Sequence, residues 1–273
     1  MRHSISSIII AIALFTACKK DHADTVVKSK FISKVFEYKP APGQFINTSI
    51  GDSAAAQKLI GSTDNVLTLG AWGGYVTFGF DHEVSKFAIY SNTIEELSEP
   101  GVVMVSHDEN GNGLPDDNWY TISGDQYNNA VKNYRITYYN PHAYADVKWK
   151  DNQGDSGTVA INAFHTQAYY PAFIAAQDTV SFTGIRLPAT LKDNAGYYVN
   201  GGFTYGYADN WTSDYATNGY NSFDLTNVVD NNGNKITLSS IKFVRVYTGQ
   251  NSKGNATIGE ISTEIRGAID LDM

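Results

Sequence analysis

The stretch of this sequence most suited to chemistry is a run of oxygen-bearing side chains between residues 108 and 117. It contains Asp108, Asn110, Asn112, Asp116 and Asp117. Counted from Asp108, the first four fall at positions 1, 3, 5 and 9, and Gly113 stands at position 6, where a cation-wrapping loop turns sharply. Ca²⁺ takes about six to eight oxygen ligands. The pattern therefore predicts a calcium loop held by these five side chains and the Leu114 carbonyl.

The loop differs from an EF-hand at position 12. An EF-hand has Glu at that position, whereas this chain has Trp119. The loop is closer to the aspartate-rich calcium loops of extracellular β-proteins, with Asp116 or Asp117 completing the shell of the ion. Two of its ligands are uncharged Asn side chains, which predicts weak, micromolar-to-millimolar affinity. A polar Asn-Gly hairpin turn that binds nothing has a similar composition and stays open as the alternative.

A second candidate site is the aromatic segment 196–223, in which Tyr, Trp and Phe alternate with Gly, Asn and Asp. Rings with polar tips offer contact area and hydrogen bonds, and they suit sugars or other flat ligands with polar rims. The predicted ligand contacts are Tyr205, Tyr207, Asp209, Trp211 and Tyr215. The alternative is that half of these rings belong to the core and that the glycines only form turns.

Catalytic patterns are missing from the sequence. There is no Gly-x-Ser-x-Gly motif, no phosphate loop and no dinucleotide fingerprint. The six histidines show no zinc spacing. Acidic pairs such as Glu260 with Glu264 are expected by chance among 28 acidic residues. We therefore predict a protein that is not an enzyme, with a glycan-active enzyme as the less favoured alternative.

The N-terminus predicts export and lipid attachment. A short basic start precedes an apolar run, Ile8 to Phe15, that is too short to span a bilayer. Small residues then lead to Cys18, the single cysteine of the chain, as in a bacterial lipobox. We predict a signal peptide over residues 1–18, lipidation of Cys18, and a flexible tether over residues 19–30. The charged residues after Cys18 resemble the export signal of Bacteroidetes surface lipoproteins, which implies a cell-surface position on the outer membrane.

The composition of the chain limits the classes of partner that it can bind. The formal net charge of −8 and the pI near 5.2 argue against nucleic-acid binding. No second apolar span follows the first, so the lipid alone would attach the chain to a membrane. With Cys18 lipidated, no disulfide can form, and bound calcium would stabilise the folded state instead.

Short alternating runs between Gly, Asn and Asp clusters indicate an all-β fold, a single β-sandwich or jelly-roll-like domain over residues 31–273. The predicted strands are Asn65–Leu69, Tyr75–Phe80, Lys86–Tyr90, Gly101–Ser106, Trp119–Ile122, Asn133–Tyr139, Asp146–Lys150, Thr179–Leu187, Lys235–Leu238 and Ile241–Tyr247. One helix is expected after Asp52 or Ser53, ending at Gly61, and a second short turn at Leu225–Val229.

Several segments together resemble the "cell surface protein" lipoproteins of Bacteroidetes. They include the ranges 73–82, 98–106, 108–120, 138–141, 164–167, 207–210, 223–225 and 259–264. Members of that family are linked with TonB-dependent receptors and with surface lipoproteins for cobalamin uptake. The resemblance thus implies capture of a nutrient, cobalamin among the options, for an outer-membrane uptake system. A carbohydrate-binding module and a structural or adhesive partner of a receptor are the alternatives.

Overall fold

The computed structural model describes residues 27–254 and 258–273. The predicted signal peptide, the lipidation site Cys18 and most of the tether lie outside the described residues. Within the described part of the chain, no helix has the length and apolar character needed to cross a membrane.

The all-β prediction is confirmed, since strands dominate and helices are few. The strands are β1 Lys34–Lys39, β2 Leu67–Thr68, β3 Tyr75–Val84, β4 Lys86–Ser91, β5 Gly101–Ser106, β6 Trp119–Ile122, β7 Val131–Tyr139, β8 Val147–Asp151, β9 Ser156–Val159, β10 Thr179–Arg186, β11 Leu191–Asn194, β12 Tyr197–Asn200, β13 Tyr207–Ala208, β14 Asn221–Asp224, β15 Val228–Val229, β16 Ile241–Thr248 and β17 Glu264–Asp270. The α-helices are α1 Ser53–Gln57 and α2 Ser213–Asn218, and 3₁₀ turns cover Tyr127–Asn129 and Ala172–Ile174.

The strands form a central sheet with one sheet packed on each face. The central sheet runs in the order β1-β3-β16-β5-β6-β15, and β13 pairs with β5. One outer sheet has the order β14-β4-β17-β2 and the other β10-β7-β8-β9, while β11 and β12 form a separate hairpin. All of these pairings are antiparallel.

Two hydrophobic cores lie on opposite faces of the central sheet, because successive side chains of a strand point to opposite faces. Val103 and Val105 of β5 belong to the first core, together with Phe87 and Ile265 of the β4–β17 sheet. Val102 of the same strand belongs to the second core, together with residues of the β7–β10 sheet. The central strands are apolar on both faces, so a sheet packs against each face. The fold is therefore a sandwich of three sheets.

Local sequence signals located several elements well. The strands β5 and β6 have the predicted bounds, and Asp52 caps α1 by accepting a hydrogen bond from the Ala55 backbone N–H at 2.7 Å. The Lys235–Leu238 run is not a strand, and makes a single bridge from Lys235 to Val229. The predicted turn at Leu225–Val229 ends as strand β15 instead. Helix α2 was missed, although Thr212 caps its start and Gly219 ends it with φ of 76°.

Candidate functional site

The predicted calcium loop connects β5 to β6, and its first ligand is firmly placed. Both carboxylate oxygens of Asp108 accept the Gly113 backbone N–H, at 3.2 and 3.0 Å. Gly113 has φ of 72°, the left-handed conformation that glycine adopts without strain. The Asp108 side chain is 4% exposed, and its Oδ2 lies 2.9 Å from Nζ of Lys242. The hydrogen bond from Lys242 lowers the pKa of Asp108 below its ordinary value.

The other predicted ligands join the same network. Asn110 Oδ1 accepts the Asn112 N–H at 2.9 Å, and Asn112 Oδ1 accepts the Leu114 N–H at 2.7 Å. The Asn112 amide also reaches both oxygens of Asp116, at 3.2 and 3.0 Å. The Asn110 amide reaches Asp116 at 3.3 Å and Asp117 at 3.2 Å. The structure therefore brings the five predicted side chains into one hydrogen-bonded loop, with exposed Leu114 between them.

The charge of this loop fits a divalent cation. The carboxylates of Asp108, Asp116 and Asp117 carry three negative charges, and Lys242 supplies one positive charge. Carboxylate and amide oxygens are the ligands that Ca²⁺ prefers. The same contacts also satisfy the loop as a plain turn, so both interpretations from the sequence remain.

The five predicted ligand contacts do not share one exposed face. Tyr207 is 2% exposed, packs in the second core and accepts the Gln126 N–H at 3.1 Å. Tyr215 is 9% exposed, and its hydroxyl donates to the Ser91 carbonyl at 2.9 Å. Asp209 is 1% exposed, whereas Tyr205 is 50% exposed and Trp211 is half-buried. For Tyr207 and Tyr215 the structure follows the alternative that part of the segment belongs to the core, because their rings are buried and internal partners satisfy their hydroxyl groups.

A buried carboxylate cluster, formed by Glu99, Asp209 and Glu264, was missed by reasoning from the sequence. One oxygen from each of the three lies within 4.8 Å of the others. Glu99 stands just before β5, Asp209 just after β13, and Glu264 opens β17. Strand pairing joins them, since Ala208 lies opposite Gly101. Glu99, Asp209 and Glu264 are too far apart in the chain for a spacing pattern to connect them. The only available signal in the sequence for this cluster was the polar segment 259–264, which contains Glu264.

Backbone contacts hold the carboxylate cluster in place. The Glu99 N–H donates to the Asp209 carbonyl at 2.9 Å, and the Glu264 N–H donates to Asp209 Oδ2 at 2.8 Å. The Ser262 N–H donates to Glu99 Oε1 at 3.0 Å. Asp209 has φ of 53°, a left-handed conformation that only a few non-glycine residues adopt. The position of these carboxylates is therefore set by the fold rather than by their own side-chain preferences.

The three carboxyl groups of the cluster lie close together without a basic side chain beside them in the described chain. Burial raises the pKa of Glu99 and of Asp209 well above the ordinary value, and the nearby Glu264 carboxylate adds to both shifts. Burial also raises the pKa of Glu264. Among the residues that the structure describes, no Lys, Arg or His forms an ion pair with any of the three.

A separate space, which we call the Trp149 cavity, lies beside the β8–β9 edge and has a volume of about 220 Å³. Trp149, Trp72, Ser252 and Glu260 are among its lining residues. A Cβ on Gly157 would lie 2.6 Å from the Trp149 ring, so glycine at this position lets the indole lie against β9.

The polar atoms around the Trp149 cavity are incompletely paired. Trp72 Nε1, Ser252 Oγ and Glu260 Oε2 are buried and have no hydrogen-bond partner in the described chain. The other Glu260 oxygen, Oε1, accepts the Gln44 N–H at 2.7 Å. Burial raises the pKa of Glu260 to about 8. The cavity thus combines an aromatic wall with one N–H donor and two oxygens.

Comparison with known proteins assigns no family: no family model matches the chain, and neither does any curated protein.

Proposed function

We propose that this protein is a lipid-anchored binding protein of the cell surface that takes a small polar nutrient, or the end of a glycan, into the Trp149 cavity. It catalyses no reaction in this proposal. The observation that carries it is the set of three unpaired buried polar atoms on Trp72, Ser252 and Glu260. Buried polar groups are nearly always hydrogen-bonded, and ligand sites combine apolar walls with a few such groups.

The size of the cavity limits the ligand. At about 220 Å³ it lies below the roughly 300–1,000 Å³ that encloses a drug-sized molecule. It therefore suits a single sugar ring or a molecule of similar size. A corrinoid such as cobalamin would enter only by one of its substituents. An indole N–H, a hydroxyl and a carboxyl group together match the donors and acceptors of a sugar's hydroxyl groups.

Binding to a glycan array and to a panel of small nutrients, cobalamin included, tests this function. We expect Trp149→Ala to weaken binding about 5- to 150-fold, since one well-packed aromatic contact contributes about 1–3 kcal/mol. Tyr205→Ala is the matched control, because it removes an exposed ring from the aromatic segment and leaves the cavity intact. Retention of full binding in Trp149→Ala, or failure to bind anything in the panel, would contradict the proposal.

The proposal places Ca²⁺ in the 108–117 loop as a structural ion. The support is the convergence of Asp108, Asn110, Asn112, Asp116 and Asp117 on one network. Calcium titration followed by calorimetry tests it, with Asp116→Asn combined with Asp117→Asn as the loop variant. Asp155→Asn, at an exposed carboxylate of the β8–β9 turn, is the control. The loop variant should lose one bound calcium, and the control should lose none.

The cell-surface part of the proposal is supported by the sequence around Cys18 alone. A Cys18→Ser variant should leave the outer-membrane fraction, and protease treatment of whole cells should remove the wild-type protein. A TonB-dependent receptor is the proposed partner, on the resemblance to surface lipoproteins. Co-purification of such a receptor from solubilised outer membranes with the wild-type protein tests this part.

A further inference from the structure

The carboxylate cluster of Glu99, Asp209 and Glu264 places three acidic groups around one point inside the protein. Asp209 and Glu264 are 1% and 4% exposed, and Glu99 is half-buried. A buried charge is costly unless a counter-charge is present. The described chain supplies no basic side chain at this point, so two means remain to balance the charge: protons held by the carboxyl groups themselves, or a cation from solvent.

Free oxygens point to a ligand at this place. Asp209 anchors Oδ2 on the Glu264 N–H, while its Oδ1 is buried without a partner. Glu264 Oε1 is also buried without a partner. The hydroxyl of Ser91, 1% exposed and outside the acidic cluster, lies beside the Asp209 carboxyl and has no partner with hydrogen-bond geometry. Asp209 thus has one anchored and one free oxygen, and Glu264 and Ser91 each add a further free oxygen, which together form the oxygen-rich set that a metal ion uses.

The ligand set fits calcium better than magnesium, and the spacing of its oxygens is compatible with a calcium shell. Two oxygens on opposite sides of Ca²⁺ lie about 4.6–5.2 Å apart, since each Ca–O distance is about 2.3–2.6 Å. The three carboxylate oxygens of the cluster are no more than 4.8 Å apart. Mg²⁺ binds at about 2.0–2.1 Å and keeps several waters, which suits a cluster of three protein carboxylates less well.

A second cavity opens the cluster to the outside. It has a volume of about 280 Å³, and Glu99, Glu264, Asn92 and Ser262 are among the residues that line it. An ion can therefore reach Glu99 and Glu264 from solvent, and water in this cavity can complete its coordination shell. Asp209 stands behind these two residues, since it does not line the cavity.

From these observations we propose a second cation site, in which Glu99, Asp209, Glu264 and the Ser91 hydroxyl bind one Ca²⁺ at the base of this cavity. The site is separate from the 108–117 loop and does not rest on the function proposed above. Its ion would join three distant segments, the start of β5, the end of β13 and the start of β17. It would thereby tie the central sheet to the β4–β17 sheet.

Counting bound calcium tests the site. The protein is treated with EDTA, dialysed, and titrated with Ca²⁺ by calorimetry as wild type, as the loop variant and as Asp209→Asn. Asn keeps the acceptor for the Glu264 N–H and tolerates the left-handed backbone of residue 209, so this substitution removes charge with little change of shape. Glu99→Gln is the second variant, at a half-buried position, in case Asp209→Asn does not fold. We expect two calcium ions in the wild type, one in each variant, and none when the loop and Asp209 substitutions are combined.

The four outcomes separate the two sites. A single ion that the loop variant loses and Asp209→Asn keeps overturns this proposal and leaves the loop site standing. A single ion that Asp209→Asn loses and the loop variant keeps supports the cluster site and overturns the loop site. Binding that neither Asp209→Asn nor Glu99→Gln changes, or no binding at all, overturns the cluster site. In that case the three carboxyl groups are neutralised by shared protons.

Discussion

The 108–117 loop and the carboxylate cluster each bring together three carboxylates of a proposed ion site, Asp108, Asp116 and Asp117 in the loop, but they balance that charge differently. In the loop, neighbouring amides and the ammonium group of Lys242 reach the carboxylates directly. In the cluster, backbone N–H groups fix the side chains, and no basic side chain of the described chain joins them. The comparison teaches that the carboxylates of the loop find partners within their own segment, whereas those of the cluster depend on the fold for their position and have no basic partner among the described residues.

The largest expected effect is the loss of stability when both proposed calcium ions are removed. An ion at about 100 times its dissociation constant stabilises the fold by about 2.7 kcal/mol. In a chain of this size, each kcal/mol shifts the melting temperature by about 2–4 °C. For two ions we expect EDTA to lower the melting temperature of the wild type by about 11–22 °C relative to saturating Ca²⁺. The calcium-dependent rise in melting temperature should be smaller in Asp209→Asn than in the loop variant. In Asp155→Asn it should equal that of the wild type.

The second prediction concerns Glu264→Gln, whose effect on the free energy of unfolding should change sign when calcium is added. In EDTA, Glu264→Gln should be more stable than the wild type, because it removes a buried carboxylate that stands beside two others. In saturating Ca²⁺ it should be less stable, because an ion ligand is gone. Urea unfolding in both buffers measures the difference. A substitution that destabilises equally in the two buffers would show that the cluster does not bind calcium.

His82 offers a buried site where the chain supplies its own positive charge. Its ring nitrogens lie 2.6 Å from Asp81 and 2.8 Å from Asp270, and the residue is 8% exposed. Burial lowers the pKa of His82, but the hydrogen bonds to Asp81 and Asp270 outweigh that effect and raise the pKa above its ordinary value.

The raised pKa fixes the direction of a third prediction. The protonated ring donates to both carboxylates, so its stabilisation is complete below pH 6.5 and is lost as the pH rises through the pKa of the folded state. His82→Gln should therefore cost about 1–3 kcal/mol near pH 5.5 and less near pH 8.5. Urea unfolding of both proteins across this range measures it, and a cost that grows with pH would contradict the assignment.

The smallest expected effect concerns Lys242, which occupies one oxygen of Asp108 in the loop. Because the ammonium group competes with the ion, Lys242→Met should bind Ca²⁺ up to about fivefold more tightly, in line with the roughly 0–1 kcal/mol of such partly exposed pairs. Lys150→Met, at an exposed position of β8, is the control for charge alone. Equal affinity of the two variants would place Lys242 outside the ion site.

Prediction from the sequence succeeded where the signal was local. The short β-rich runs Gly101–Ser106 and Trp119–Ile122, bounded by turn residues, predicted both strands with their observed bounds. The predicted ligands of the 108–117 loop come from one turn, so their spacing alone brought them together. Prediction from the sequence failed for Tyr207 and Tyr215, because composition does not distinguish a ring that packs in a core from one that faces solvent. It also missed strands such as β17, whose pairing partners lie far away in sequence.

The sequence by itself determined the β-rich character of the chain and the local geometry of the acidic loop, since both follow from the alternation and spacing of neighbouring residues. Only the tertiary structure decided that Asp209 is buried beside Glu99 and Glu264, and that Trp149 lies near the unpaired groups of Trp72, Ser252 and Glu260. The physical reason is that strand pairing joins residues separated by more than a hundred positions. Burial then changes the charge balance of groups whose own sequence context is ordinary.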